Sequence, residues 1–145
     1  MPITEPLIQQ YMTVQPQSIE SSEKLQKARD LMTRFGIRHL PVTCGGKVIG
    51  ILSERDINLT YGLEAIEKTQ YLVMDVCREE PYAVGPEEPL RLVVQEMANM
   101  RYGSVIVMKD EKLAGIFTTV DACRALNQII EDNMNFPGFK IAKRA

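Results

Sequence analysis

Between residues 25 and 35 the apolar side chains fall at Leu25, Ala28, Leu31, Met32 and Phe35. Spacings of three and four place them on one face of a helix. Ser21 or Ser22 can cap its start, and Gly36 can end it. Two apolar stretches follow, Arg38–Thr43 and Lys47–Ser53, separated by Gly45-Gly46. That pair accepts the positive φ of a tight hairpin turn. A short strand at Gln17–Ile19 precedes the helix, and a short helix from Glu54 to about Tyr61 follows the hairpin. The succession then returns: a strand at Tyr82–Val84, a helix from Pro89 to Arg101, a hairpin of Ser104–Met108 and Lys112–Thr118, and a helix from about Val120 to Glu131. Pro89 suits a first helical position, where its missing N–H costs nothing. Asp110-Glu111 stands at the second hairpin turn in place of the glycines.

The return is literal. Gly50-Ile51-Leu52-Ser53-Glu54-Arg55-Asp56-Ile57 reappears 65 residues on as Gly115-Ile116-Phe117-Thr118-Thr119-Val120-Asp121-Ala122. Pro16 falls on Pro81, Leu25 on Leu90, Met32 on Met97 and Val42 on Val107 in the same register. A shorter echo, Met12-Thr13-Val14 and Met74-Asp75-Val76, stands 62 apart and implies three extra residues before the second proline. The expected organisation is a first repeat over 8–61, a polar connector over 62–72 that is helical in part, a second repeat over 73–131 and a tail over 132–145. Two copies of one supersecondary unit, related by a pseudo-twofold, create two equivalent clefts, which points to binding in preference to one catalytic centre.

Composition narrows the function. The 145 residues, 45% hydrophobic and 25% charged, suffice for two packed half-domains sharing one compact fold. A net charge of −2 argues against a basic nucleic-acid-binding face. No apolar run reaches the roughly 20 residues of a membrane span, and the first residues lack a signal-peptide pattern. Three unpaired-looking cysteines, Cys44, Cys77 and Cys123, fit a reducing cytoplasm. One histidine and no close cysteine spacing leave no set of metal ligands and no Cys-His dyad, so no enzyme is expected.

Arg38-His39-Leu40-Pro41-Val42, followed by the Gly50–Ile57 segment, resembles a cystathionine-β-synthase (CBS) domain, and the second repeat carries the same frame. Residues from about 8 to 130 thus resemble a tandem CBS pair, a Bateman module, standing alone. The resemblance implies an α/β (α+β) fold of two β-α-β-β-α repeats with pseudo-twofold symmetry. It also implies regulatory binding of an adenosyl ligand (AMP, ADP, ATP or S-adenosylmethionine) between the repeats, a homodimer, and a regulated partner protein. An alternative is a dimerisation platform with empty clefts.

By position, the resemblance assigns Asp56 and Asp121 to the ribose, whose diol a carboxylate can accept with two oxygens. A plain first-turn acidic residue, favoured by the helix dipole, is the competing reading. Ser53 and Thr118 become phosphate or ribose contacts, or simple caps. Arg38 and His39 become phosphate contacts with Gly103 and Ser104 as uncharged counterparts, so the clefts are expected to be unequal; Arg55 and Arg101 are weaker candidates. The adenine slot maps to Thr13, Pro16, Ile37 and Pro41, and to Asp75, Pro81, Tyr102 and Ile106, with core packing as the alternative for each. Tyr102 could stack on a base.

Overall fold

The computed structural model describes residues 4–63 and 71–134. Each repeat holds the expected β-α-β-β-α succession. The first is β2 (Ile19–Glu20), α1 (Leu25–Phe35), β3 (His39–Cys44), β4 (Lys47–Ser53) and α2 (Glu54–Leu63). The second is β6 (Ala83–Val84), α4 (Leu90–Met100), β7 (Ser104–Lys109), β8 (Lys112–Thr118) and α5 (Thr119–Met134). Ahead of each lies a segment the apolar pattern did not reveal: a 3-10 turn at Ile8–Gln10 with β1 (Thr13–Val14), and α3 (Val73–Val76) with β5 (Arg78–Glu79). Most of the expected connector and tail falls outside the described residues.

These leading segments are exchanged. One sheet has the order β2-β3-β4-β5 and the other β1-β8-β7-β6, so each repeat closes the other repeat's sheet. Thr13 pairs with Ile116 and Val14 with Gly115, while Arg78 pairs with Ile51 and Glu79 with Gly50. The 65-residue register therefore runs unbroken through the leading segments. The 62-residue echo is not structural: Thr13 corresponds to Arg78, not to Asp75, and no extra residues precede Pro81.

The exchange also explains how the helices begin. Ser21 and Ser22 do not cap α1; its N-cap is Lys24, with no side-chain cap. The Leu25 N–H instead donates to the Tyr71 carbonyl at 2.9 Å, and Leu90 N–H donates to the Pro6 carbonyl at 2.8 Å. Backbone just ahead of the other repeat thus satisfies a donor that a serine would otherwise serve. Pro89 is the N-cap of α4, one position earlier than expected.

Two cores result. One gathers Leu25, Met32, Leu40, Val42 and Leu52 with Val73 from the second repeat. The other gathers Leu90, Met97, Val105, Val107 and Phe117 with Ile8 from the first. Ile8 and Val73 are both fully buried, each contributing about 1.5–3 kcal/mol of transfer free energy to the other half. Gly50 and Gly115 sit under the crossing strands. A Cβ on Gly50 would collide with the Arg78 carbonyl, and one on Gly115 with the Met12 side chain and the Thr13 carbonyl. The motif glycines are therefore required by close backbone approach.

Candidate functional site

Two clefts open between the repeats, of about 740 Å³ around Asp56 and about 510 Å³ around Asp121. Each carboxylate stands in the first turn of a helix directly after a sheet's central hairpin. Ser53 N–H donates to Asp56 Oδ2 at 3.3 Å, and Asp56 N–H donates back to Ser53 Oγ at 3.1 Å. Thr118 and Asp121 repeat the exchange at 2.9 and 3.3 Å. Both pairs are reciprocal capping arrangements, so the structural role of these residues is real. It uses chiefly one oxygen of each carboxylate, and a carboxylate has about four lone-pair sites.

The other oxygen differs between clefts. Asp56 Oδ1 lies 3.7 Å from Arg78 Nε, while Asp121 Oδ1 lies 3.6 Å from an Arg124 guanidinium nitrogen and accepts from Thr13 Oγ1 at 3.3 Å. Both arginine side chains are over two-thirds exposed, so the ion pairs are weak and can be exchanged for a ligand. The first N–H group of each helix is already engaged. Glu54 N–H donates to the Arg38 carbonyl at 2.8 Å and Thr119 N–H to the Gly103 carbonyl at 3.2 Å.

The walls come from both repeats. The Asp56 cleft joins Ser53, Arg55 and Asp56 to Pro81, Tyr102 and Gly103. The Asp121 cleft joins Thr118 and Asp121 to Thr13, Pro16 and Ile37. Arg38 and His39 border both clefts, where the sequence expectation gave them to one. Three of the expected residues line neither cleft. Pro41 and Ile106 lie inside their sheets, Pro41 opposite Ile51 and Ile106 opposite Ile116. Asp75 caps its own short helix, accepting from Leu72 N–H at 2.9 Å.

Sequence reasoning missed Arg78, Arg124, Tyr82 and Phe35, which all line clefts. The 65-residue register carried back past Pro16 would have found Arg78. Tyr82 stacks on Tyr102, ring centroids 5.3 Å apart, so one face of Tyr102 is already covered. The clefts also differ in charge. Arg55, Arg78 and Arg101 of the Asp56 cleft correspond to Val120, Thr13 and Gly36 of the other, and Glu79 and Glu80 correspond to Val14 and Gln15. The Asp56 cleft is dense in both signs; the Asp121 cleft is sparse in charge, with Arg38, Arg124 and Asp121. His39 is half-buried against Gly103, and burial lowers its pKa, with Asp56 opposing and Arg38 adding to the shift. Among the described residues no helix is long and apolar enough to cross a membrane, and no cluster could hold a metal ion.

The CBS domain family model matches residues 8–59 and 73–128. An inosine-5'-monophosphate dehydrogenase of Korarchaeum cryptofilum is 30% identical over 116 residues, 79% of this chain but 22% of that protein's length. The CBS domain pair of protein MJ0100, solved with 5-methylthioadenosine and S-adenosyl-L-methionine, superposes with a TM-score of 0.78 at 20% identity, covering 87% of this chain and 99% of that one. CBSX2 solved with AMP superposes at 0.73 and 23% identity, covering 86% and 98%.

Proposed function

Because the chain belongs to the CBS domain family and carries two copies of that domain, we propose that it is a regulatory module binding adenosyl ligands in the clefts between its repeats. The observation that carries this reading is the paired placement of Asp56 and Asp121, each lining a cleft whose walls come from both repeats. Both clefts have the size of small-molecule sites. The ligand-bound CBS pairs that share the fold support the choice of an adenosyl group. A ligand held by Asp56 on one repeat and by the Pro81 and Tyr102 walls of the other favours one spacing of the two halves, and occupancy shifts the population toward it. That shift is the signal a partner protein would read. The module binds and does not catalyse.

Native mass spectrometry of protein purified without added nucleotide, followed by calorimetry with AMP, ATP and S-adenosylmethionine, tests the reading. Retained or titratable adenosyl ligand supports it. Failure of all three to bind folded protein shifts the function to an empty interaction platform.

The module acts as a homodimer. Leu126, Ile130 and Met134 form an exposed apolar stripe along α5. A second copy offers the same stripe, as an isologous interface requires. Sedimentation at micromolar concentration should show a dimer, and Ile130→Glu should convert it to monomer; a monomeric unmutated protein rejects the interface.

A further inference from the structure

We propose that Arg38 is one cation shared by both clefts, so that two anionic ligands bound together compete for it. The inference rests on the adenosyl-binding reading and adds the coupling between its two sites. Arg38 borders the Asp56 cleft and the Asp121 cleft alike. A duplicated site would normally supply two such residues, one per repeat. Here the counterpart is Gly103, which has no side chain to offer. A side chain at Gly103 would also crowd its neighbour: a Cβ there would stand 3.0 Å from His39 Nε2, which would have to give by a few tenths of an ångström. The glycine therefore leaves His39 uncrowded and Arg38 as the one arginine that lines both clefts.

His39 also borders both clefts, but its burial disfavours the charged imidazolium. Among the described residues, Arg38 is thus the one permanently charged side chain common to both. Its carbonyl is fixed by the Glu54 N–H, while the residue itself is exposed. A guanidinium has a single charge and one donor fork. A phosphate in one cleft draws it there, and the second phosphate binds without it. Couplings of this kind amount to about 5- to 150-fold in affinity. Uncharged ligands leave Arg38 unengaged and bind independently.

The test places Arg38→Gln in three backgrounds: the otherwise unaltered protein, Asp56→Ala and Asp121→Ala. AMP and adenosine are the probes, and NMR methyl signals of Ile51 and Ile116 report the two clefts separately. In each single-cleft background Arg38→Gln should weaken AMP about 10-fold. In the two-cleft protein the product of both AMP association constants should fall about 10-fold as well, since only one ligand ever held the arginine. Arg38→Lys should retain most of the affinity, and adenosine should be unaffected throughout. A product falling about 100-fold would show two independent uses of Arg38 and overturn sharing. A loss in only one single-cleft background would assign Arg38 to that cleft alone and overturn sharing as well. Adenosine binding that persists alongside either result leaves the adenosyl reading intact. Failure of both AMP and adenosine to bind the folded protein overturns the two together.

Discussion

Asp56 and Asp121 each serve the fold and the cleft, and the two roles separate under substitution. Asp56→Ala or Asp121→Ala should lower stability by about 1 kcal/mol through the lost capping exchange. Ligand affinity at the same cleft should fall about 5- to 150-fold, from roughly 1–3 kcal/mol of unpaired ribose hydroxyls. Asp→Asn retains an acceptor for the cap, so melting should recover while affinity does not. Equal recovery of both in calorimetry and thermal melts would reduce these residues to caps. His39 adds a pH dependence. Its folded pKa lies below the ordinary 6.5, so near and below that pH the unfolded chain binds the extra proton first. Stability is then full above about pH 6.5 and declines as pH falls through the folded value. His39→Gln should flatten that decline in melts run between pH 7.5 and 5. At this scale the sequence revealed the carboxylates and hydroxyls because the motif repeats them. It hid Arg78 because a chance Met-x-Val echo at the wrong offset put Asp75 in its place.

Helices and hairpins were legible because each has its own apolar period and turn chemistry. β1 and β5 were not, since two exposed residues carry no period and their partners lie in the other repeat. The hairpin turns show the same backbone built from unequal residues. Gly45 and Gly46 have φ of 59° and 85°, and Asp110 and Glu111 repeat the left-handed pair at 52° and 63°. A residue with a Cβ costs roughly 1 kcal/mol there. Glu111→Gly should therefore raise stability by about 0.5–1 kcal/mol in denaturant unfolding; an unchanged midpoint would mean that the turn relaxes without strain. Gly115→Ala should act the opposite way and loosen β1, because the crossing strand leaves no room for a methyl group.

For the whole molecule, exchange of Ile8 and Val73 makes each core depend on the other repeat. Ile8→Ala and Val73→Ala should each cost about 2–5 kcal/mol, and both should lower one shared transition. Two separate transitions, with each substitution moving only one, would contradict a single cooperative unit. The duplication itself was plain in the sequence, and with it the pair of clefts. Which leading segment served which sheet was not, because either copy satisfies the same local pattern.

The crossing of β1 to β8 also sets an order in time. Residues 13–14 leave the ribosome ahead of almost all the other described residues, yet the strand that pairs with them ends at Thr118. The hairpin β3–β4 forms from neighbouring residues, and β5 reaches β4 once Glu79 has emerged. The amides of Thr13 and Val14 wait for almost the entire described chain. Contacts of such separation form late because their loop-closure entropy must be met first. In pulse-labelled hydrogen exchange, protection should reach the β3–β4 hairpin first and the β1–β8 pair last. Until then the nascent chain holds one completed sheet and one lacking its edge strand.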